Sequence, residues 1–323
     1  MADDASGFLS GKFVKANFEF SQVLTGSKRM KPLWRRTLAV VNGSLGEALG
    51  KIYVKNYFDH AKKHKMDTLV SDLFAVYEER IKELDWMSPV TKRKAIEKLR
   101  LMQRKIGYPN KWKSYKGLAV KPGEYFENIL RVTEHERRRE MKKLKRKLID
   151  RDEWFMYPQT VNAYFHPTMN EIVFPAAILQ PPFFTFSADD AFNYGGIGAV
   201  IGHEITHGFD DQGAKFDKHG NLKKWWTPQD KKRYDKKVKM QVPQYNAFKV
   251  ADGVAVNGGL TLGENIADLG GLVIGYKAYQ RHLKKTGRKV VAGLTPEQRF
   301  FLGFAQAERE LNRPEAIKTR TLT

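Results

Sequence analysis

Two histidines and a glutamate within five consecutive residues carry the clearest chemical signal in this sequence. His203, Glu204 and His207 form the pattern His-Glu-x-x-His. Helical side chains four residues apart lie on one face, so both imidazoles can point at a single metal ion. Glu204 is turned by about 100° around the helix axis, which puts its carboxylate beside the ion. The pattern predicts a catalytic zinc site in which Glu204 is the general base for a zinc-bound water.

Such a short pattern also arises by chance, and the alternative interpretation is two surface histidines beside a glutamate. The preceding residues 195–202, GGIGAVIG, are small and apolar. They predict a buried helix packed closely against its neighbours, where imidazole and carboxylate groups need polar partners. A metal ion would supply those partners, so the context favours metal binding.

A third ligand is expected from the segment NGGLTLGENIADLGG. There Glu264 and Asp268 lie four residues apart, and Glu264 follows His207 by 57 positions. With Glu264 as a ligand, the fourth position of a tetrahedral zinc site stays open, as catalysis requires. Asp268 is expected to accept the ring N–H of a ligand histidine and fix its tautomer. The alternative is an ordinary acidic first turn, stabilised by the helix dipole.

Two further sets of residues flank the predicted zinc helix. The segments VNAYFHP and EIVFPAAIL, with a turn at residues 167–170, predict a β-hairpin at the edge of a sheet. Asn162 and Ala163 begin this hairpin, where they could hold a peptide that adds as an extra strand, although an ordinary strand explains them equally well. Asp210 and Asp211 follow the helix and could either contact a ligand imidazole or cap loop backbone.

The elements that must position these residues divide the chain into two parts. Residues 1–150 are predicted to be mainly helical, with apolar residues at three- and four-residue spacing. Ser88 and Pro89 predict the N-cap and first position of a helix that is expected to end at the turn of residues 107–110. Residues 151–323 are predicted to form the zinc-binding catalytic region. The predicted fold class is α+β, mainly helical, with a small edge-exposed sheet.

Composition excludes several classes of protein. The chain has no cysteine, so disulfides, thiol nucleophiles and Cys-ligated metals are excluded. No apolar run reaches the roughly 18 residues of a membrane helix, and the acidic start MADDASGFLSGKFVK is not a secretory signal. The compartment stays open, and a bacterial cytoplasmic or exported protein fits these features.

The net charge of +21 favours loose association with polyanions or anionic membrane surfaces. The densest basic clusters lie at Arg137 to Arg139 and Lys142 to Lys147, so a polyanion-binding module is one alternative function. No nucleic-acid motif accompanies the charge. A solvated face of an amphipathic helix is therefore the favoured interpretation, and no specific nucleic-acid partner is expected.

Three blocks of sequence, in this order, resemble the neprilysin family of zinc metalloendopeptidases. They are NAYFHPTMNEIVFPAAILQPPFF, GGIGAVIGHEITHGFDDQG and VNGGLTLGENIADLGG, and the similarity extends over nearly the whole chain. The resemblance implies one zinc ion per chain, with the ligands His203, His207 and Glu264, the base Glu204 and the orienting residue Asp268. It further implies that Asn162 and Ala163 hold the substrate backbone and that Val200 lines a pocket for an apolar side chain.

The family resemblance also implies a thermolysin-like zincin domain and a second helical domain that limits substrates to short peptides. Cleavage is expected on the amino side of large apolar residues. The sequence corresponds to the C-terminal catalytic part of the family, and it is expected to lack the N-terminal half and the extreme C-terminal segment. An alternative is therefore a zinc-binding protein with weak or no activity, which binds peptides or a completing partner chain.

Overall fold

Helices dominate the described residues, 6–146, 149–250 and 253–322, of this computed structural model. The α-helices are α1 (Gly11–Thr25), α2 (Leu33–Tyr57), α3 (His60–Glu83), α4 (Pro89–Leu101), α5 (Tyr125–Arg146), α6 (Asp190–Asn193), α7 (Ala199–His207), α8 (Pro228–Val238), α9 (Gln241–Asn246), α10 (Leu262–Thr286), α11 (Pro296–Ala307) and α12 (Pro314–Leu322). Short 3-10 turns lie at Ser6–Phe8 and Gly213–Lys215, and a π-helical turn at Tyr194–Gly198 leads directly into α7. The mainly helical fold class with a small sheet is confirmed.

The sheet has three strands, β1 (Gln103–Gly107), β2 (Tyr164–His166) and β3 (Glu171–Pro175), in the order β1-β3-β2. β2 and β3 are antiparallel, with Tyr164 opposite Val173, so the predicted hairpin is confirmed and β2 lies at the sheet edge. β1 runs parallel to β3. The edge position leaves β2 free of a strand on its other side within this sheet.

The prediction that one helix continues to residues 107–110 is wrong. α4 ends at Leu101, and the next residues form β1. The helical interpretation rested on charged residues that suit a helix, but pairing with the fully buried strand β3 overrides this weak local preference. The start of the helix is confirmed, because the Ser88 hydroxyl caps the Thr91 amide and Pro89 occupies the first position.

The two helices that carry the candidate metal ligands, α7 and α10, pack at backbone contact. A Cβ atom on Gly271 would lie 2.5 Å from the Ala199 carbonyl oxygen and 2.7 Å from the His203 amide nitrogen. A Cβ on Gly202 would lie 2.8 Å from the Gly271 carbonyl oxygen. Only glycine permits this approach, and it brings side chains of α7 and α10 to a common point.

The basic segment near the middle of the chain is largely helix α5. Arg137 and Arg138 both pair with Glu134 on the same helix, which matches the favoured interpretation of a solvated face. Lys147, the last member of the predicted basic cluster, lies outside the described residues. β1 pairs with β3 across the predicted boundary at residues 150 and 151, and the division into two parts stays a prediction.

Among the residues that the structure describes, no helix is both long enough and apolar enough to cross a membrane.

Candidate metal centre

Three side chains predicted as zinc ligands converge on one point. His203 Nε2 and His207 Nε2, both from α7, lie 2.8 Å apart. Glu264 Oε2, from α10, lies 3.3 Å from His203 Nε2 and 3.5 Å from His207 Nε2. Tetrahedral zinc with ligands at about 2.0–2.1 Å holds its donor atoms about 3.3 Å apart. The two distances from Glu264 match this spacing, and the distance between the imidazole nitrogens is about 0.5 Å shorter. The three donors therefore fit a zinc ion after a small movement of the imidazoles apart.

Each imidazole is contacted from behind by a carboxylate. Asp268 Oδ1 lies 2.8 Å from His203 Nδ1, and Asp210 Oδ2 lies 2.7 Å from His207 Nδ1. A carboxylate accepts a hydrogen bond at Nδ1, so the proton is held there and the Nε2 lone pair is free for a metal. The contact of Asp268 with His203 agrees with its predicted orienting role.

Asp210 makes both of the contacts that the sequence left as alternatives, one to a ligand imidazole and one to loop backbone. While Oδ2 contacts His207, Oδ1 accepts backbone N–H groups from Gln212 at 2.8 Å and Gly213 at 2.6 Å. The carboxylate is thereby tied to the loop that follows α7. Asp211 instead accepts a hydrogen bond from the Gln212 side chain.

Glu204 has the environment of a group that exchanges protons. The residue is 5% exposed, and its Oε2 has no hydrogen-bond partner among the described residues. Burial raises the pKa of Glu204 to about 7, although the imidazoles of His203 and His207 lower it. Glu204 lines the same cavity as the three converging donors without being one of them, as the helical geometry predicts.

Charge at the centre is arranged for a cation. Burial lowers the pKa of His203, but hydrogen bonds to Asp268 and Glu264 outweigh it and raise the pKa to about 9. Burial also lowers the pKa of His207, but hydrogen bonds to Asp210 and Glu264 outweigh it and raise the pKa to about 10. The same imidazoles hold the pKa of Glu264 well below its usual range. The surrounding carboxylates thus favour positive charge between them, which a divalent metal ion would also satisfy.

A cavity of 440 Å³ adjoins the three donors. Asn162, Ala163 and Phe165 form part of its wall, so the predicted substrate edge and the candidate metal site face the same space. Asn162 is exposed, and its Oδ1 accepts the Ala163 amide at 2.9 Å. Val200 does not line this cavity; it is half-buried on α7 and packs against the hydrophobic core.

Sequence reasoning missed one buried polar residue beside the site, Lys98. The buried face of α4 consists of Thr91, Ala95, Lys98 and Leu99. The sequence could have indicated Lys98, because it lies on the helical face whose other residues are small or apolar. A lysine is almost never fully buried without a partner, so its position on that face suggests a specific contact.

Two sequence models of peptidase family M13 match the chain, over residues 162–323 and 1–109. Endothelin-converting enzyme 1 of Rattus norvegicus is 42% identical over 98% of this chain, and neprilysin of Homo sapiens is 41% identical over 98%. These alignments cover 43% and 44% of the two relatives. The chain therefore spans less than half the length of the curated relatives it matches.

Solved structures give the same family. The zinc metalloprotease Zmp1 of Mycobacterium tuberculosis, in complex with an inhibitor, matches with a TM-score of 0.94 and 45% identity over 99% of this chain and 49% of that chain. PepO from Lactobacillus rhamnosis HN001 matches with a TM-score of 0.89 and 33% identity, over 99% of this chain and 49% of that one.

Proposed function

The chain belongs to peptidase family M13, and from this membership we propose that it is a zinc-dependent endopeptidase of short peptides. The observation that carries the proposal is the convergence of His203, His207 and Glu264 near the buried carboxylate of Glu204, whose Oε2 has no hydrogen-bond partner among the described residues. Three protein donors and a free fourth position are the arrangement of catalytic rather than structural zinc.

The chain's own residues supply the proton transfers. Zinc, when bound, contributes a Lewis acid that polarises a carbonyl oxygen and makes water more acidic. Glu204 takes a proton from the attacking water and later delivers it to the leaving amine, a role suited to a carboxylate whose pKa lies near neutrality. Asp268 and Asp210 keep the imidazoles of His203 and His207 turned inward throughout.

Substrate is proposed to bind along the edge strand. Ala163 and Asn162 border the cavity and directly precede β2, which supports the proposal that the Ala163 carbonyl and the Asn162 side-chain amide pair with an extended peptide. Cleavage on the amino side of large apolar residues is proposed from the family resemblance. Val200 is the proposed wall of the pocket for that side chain, although it does not line the cavity described above.

A second candidate function is peptide or partner binding with weak catalysis. It is favoured by the exposure of the acidic side of the centre, where the Glu264 and Asp268 side chains are 66% and 64% exposed. A site that stays open to water weakens the electrostatic interactions that stabilise a transition state. A completing chain that covers α10 would then raise activity.

Hydrolysis of an unbiased mixture of short peptides, read by mass spectrometry, tests the proposal. We expect cleavage before apolar residues by the wild-type protein, and loss of about 10²–10⁴ in rate for Glu204→Gln. A chelator should abolish cleavage as well. Glu83→Gln, at an exposed carboxylate on α3, is the matched control and should cleave normally.

Zinc content is measured in the same samples. Zinc-loaded wild-type protein that cleaves nothing would refute the peptidase proposal for this chain and favour the binding function. Cleavage that survives in zinc-loaded Glu204→Gln would refute the role of Glu204.

A further inference from the structure

A buried lysine contacts the segment that follows the zinc helix. Lys98 on α4 is 1% exposed. Its Nζ donates hydrogen bonds to the carbonyl oxygens of Gly208 at 2.7 Å, Gly213 at 2.8 Å and Phe216 at 2.8 Å. An ammonium group has three N–H donors, so all of its donors are satisfied by backbone of one segment, residues 208–216.

This segment carries the carboxylate that orients His207. Gly208 directly follows His207, and the Gly213 amide donates to Asp210 Oδ1 at 2.6 Å. Asp210 Oδ2 in turn lies 2.7 Å from His207 Nδ1. A continuous path of hydrogen bonds therefore leads from Lys98 through Gly213 and Asp210 to a candidate zinc ligand.

The segment folds back so tightly that a side chain at Gly213 has no room. A Cβ atom there would overlap the His207 carbonyl oxygen. Aromatic rings close the space around the ammonium, with centroids of Phe165, Phe209 and Trp225 at 5.7, 5.6 and 5.8 Å from Nζ. The rings attract the cation and exclude water that would otherwise compete for the three carbonyl groups.

A second buried lysine shows what an ordinary structural role is like. Lys105 on β1 is 6% exposed, and its Nζ pairs with the Glu171 carboxylate at 2.7 Å and donates to the Glu153 carbonyl. Lys98 makes no such ion pair within the described part of the chain; its hydrogen bonds go to backbone carbonyls. Burying a charge without a paired counter-ion is costly, and burial lowers the pKa of Lys98 to about 7, although the charges of Asp210 and Asp217 raise it. A well-packed apolar side chain often serves stability as well.

We propose that Lys98 is a positioning residue for the metal centre. Its ammonium fixes residues 208–216, and thereby holds Asp210 where it orients the His207 imidazole. The inference rests on the proposed zinc-dependent function, because it assigns Lys98 to the same site.

The test replaces Lys98 by methionine, which keeps an unbranched apolar stem beside the rings and removes the ammonium group. We expect folded Lys98→Met to bind zinc about 10–100-fold more weakly than wild type, as loss of outer contacts to a ligand histidine typically does. The visible spectrum of the cobalt-substituted protein should change, because the His207 ring is no longer fixed. Lys105→Met is the matched control, with a lower melting temperature but unchanged zinc affinity and cobalt spectrum.

A double-mutant cycle tests whether the effect passes through Asp210. In Asp210→Asn protein the path to His207 is already weakened, so adding Lys98→Met should cause little further loss of zinc affinity. Fully additive losses would overturn the inference. Should Lys98→Met not fold, Lys98→Gln takes its place; its two N–H donors satisfy two carbonyl groups, and an intermediate affinity is expected.

Other outcomes separate this inference from the proposed function. Wild-type protein that binds no zinc would overturn both. Wild-type protein that binds zinc while folded Lys98→Met matches its affinity and spectrum would overturn the role of Lys98 alone. Equal losses of affinity in Lys98→Met and Lys105→Met would also overturn it, because they would indicate general destabilisation.

Discussion

At the scale of residues, the metal centre depends on carboxylates that contact the imidazoles from outside. Asp268 and Asp210 each hold one Nδ1 proton, at 2.8 and 2.7 Å, and so direct both Nε2 atoms inward. The two carboxylates differ in setting, since Asp210 is buried on a loop while Asp268 is largely exposed on α10. A metal ion thus meets ligands whose orientation is already set.

Asp268→Asn tests this arrangement. We expect zinc affinity to fall about 10–100-fold, because the amide holds the His203 proton less firmly than the carboxylate does. Asp59→Asn is a suitable control, since Asp59 is the N-cap of α3 and asparagine caps a helix equally well. Competition with a chromophoric chelator measures both affinities. An unchanged affinity in Asp268→Asn would show that His203 needs no orienting carboxylate.

The residues with fixed local spacing could be predicted from the sequence, and those placed by tertiary contacts could not. His203 and His207 follow from helical geometry, and Glu264 from an acidic segment with small neighbours. Lys98 is more than 100 positions away in sequence from residues 208–216, and only the folded chain brings it into contact with them. The role of Val200 came from resemblance alone, and it stays a prediction.

At the scale of elements, the site requires that α7 and α10 touch. Gly271→Ala would drive a methyl group against the Ala199 carbonyl oxygen and the His203 amide. We expect the helices to move apart and zinc affinity to fall at least tenfold, because the ligands no longer converge. Titration with zinc, together with the melting temperature, measures the effect.

Gly43→Ala is the matched control for this change. Gly43 lies within α2, and an added Cβ would meet nothing within 4 Å. Alanine should stabilise that helix by about 0.5–1 kcal/mol and leave zinc affinity unchanged. Gly271→Ala protein with wild-type zinc affinity would contradict the requirement for close packing.

A second element contact joins the N-terminus of α4 to α8. The Asp230 carboxylate on α8 is fully buried and accepts hydrogen bonds from the Ser88 hydroxyl at 2.5 Å and the Thr91 hydroxyl at 2.6 Å. Burial raises the pKa of Asp230, but these hydrogen bonds outweigh it and lower the pKa to about 2. A lowered carboxyl pKa means that the ionised form stabilises the fold above the unfolded-state pKa of about 3.9.

Asp230→Asn should therefore destabilise the protein by about 2 kcal/mol at neutral pH. The difference from wild type should shrink as pH falls below about 4 and approach zero below about pH 2, where the wild-type carboxyl group is protonated and uncharged like the amide. Urea unfolding at pH 7, 5 and 3 measures it. Asp235→Asn, at a half-exposed carboxylate of the same helix, should change stability by less than about 1 kcal/mol. A pH-independent difference would contradict this explanation.

Elements with strong local signals were predictable, and their ends were less so. The hairpin of β2 and β3 and the cap at Ser88 follow from turn and capping residues. The strand β1 was missed because QRKIG gains its conformation from pairing with β3, which lies more than 60 positions later in the chain.

At the scale of the whole molecule, positive charge and the metal centre are separate features. The net charge is +21, but arginines of α5 are paired with glutamates of that helix. A polyanion-binding function would show steep salt dependence and would survive removal of zinc. The peptidase proposal instead requires that one zinc ion hold together residues from two helices, α7 and α10.

X-ray absorption at the zinc edge, on wild-type protein and the Glu264→Gln variant, tests the central claim most directly. We predict one zinc per wild-type chain with two imidazole ligands at about 2.0–2.1 Å and the remaining ligands oxygen. Glu264→Gln should lose most of its zinc or change its ligand shell, while keeping its fold. A wild-type shell without two imidazoles, or a shell and affinity that Glu264→Gln leaves unchanged, would contradict the assignment of His203, His207 and Glu264.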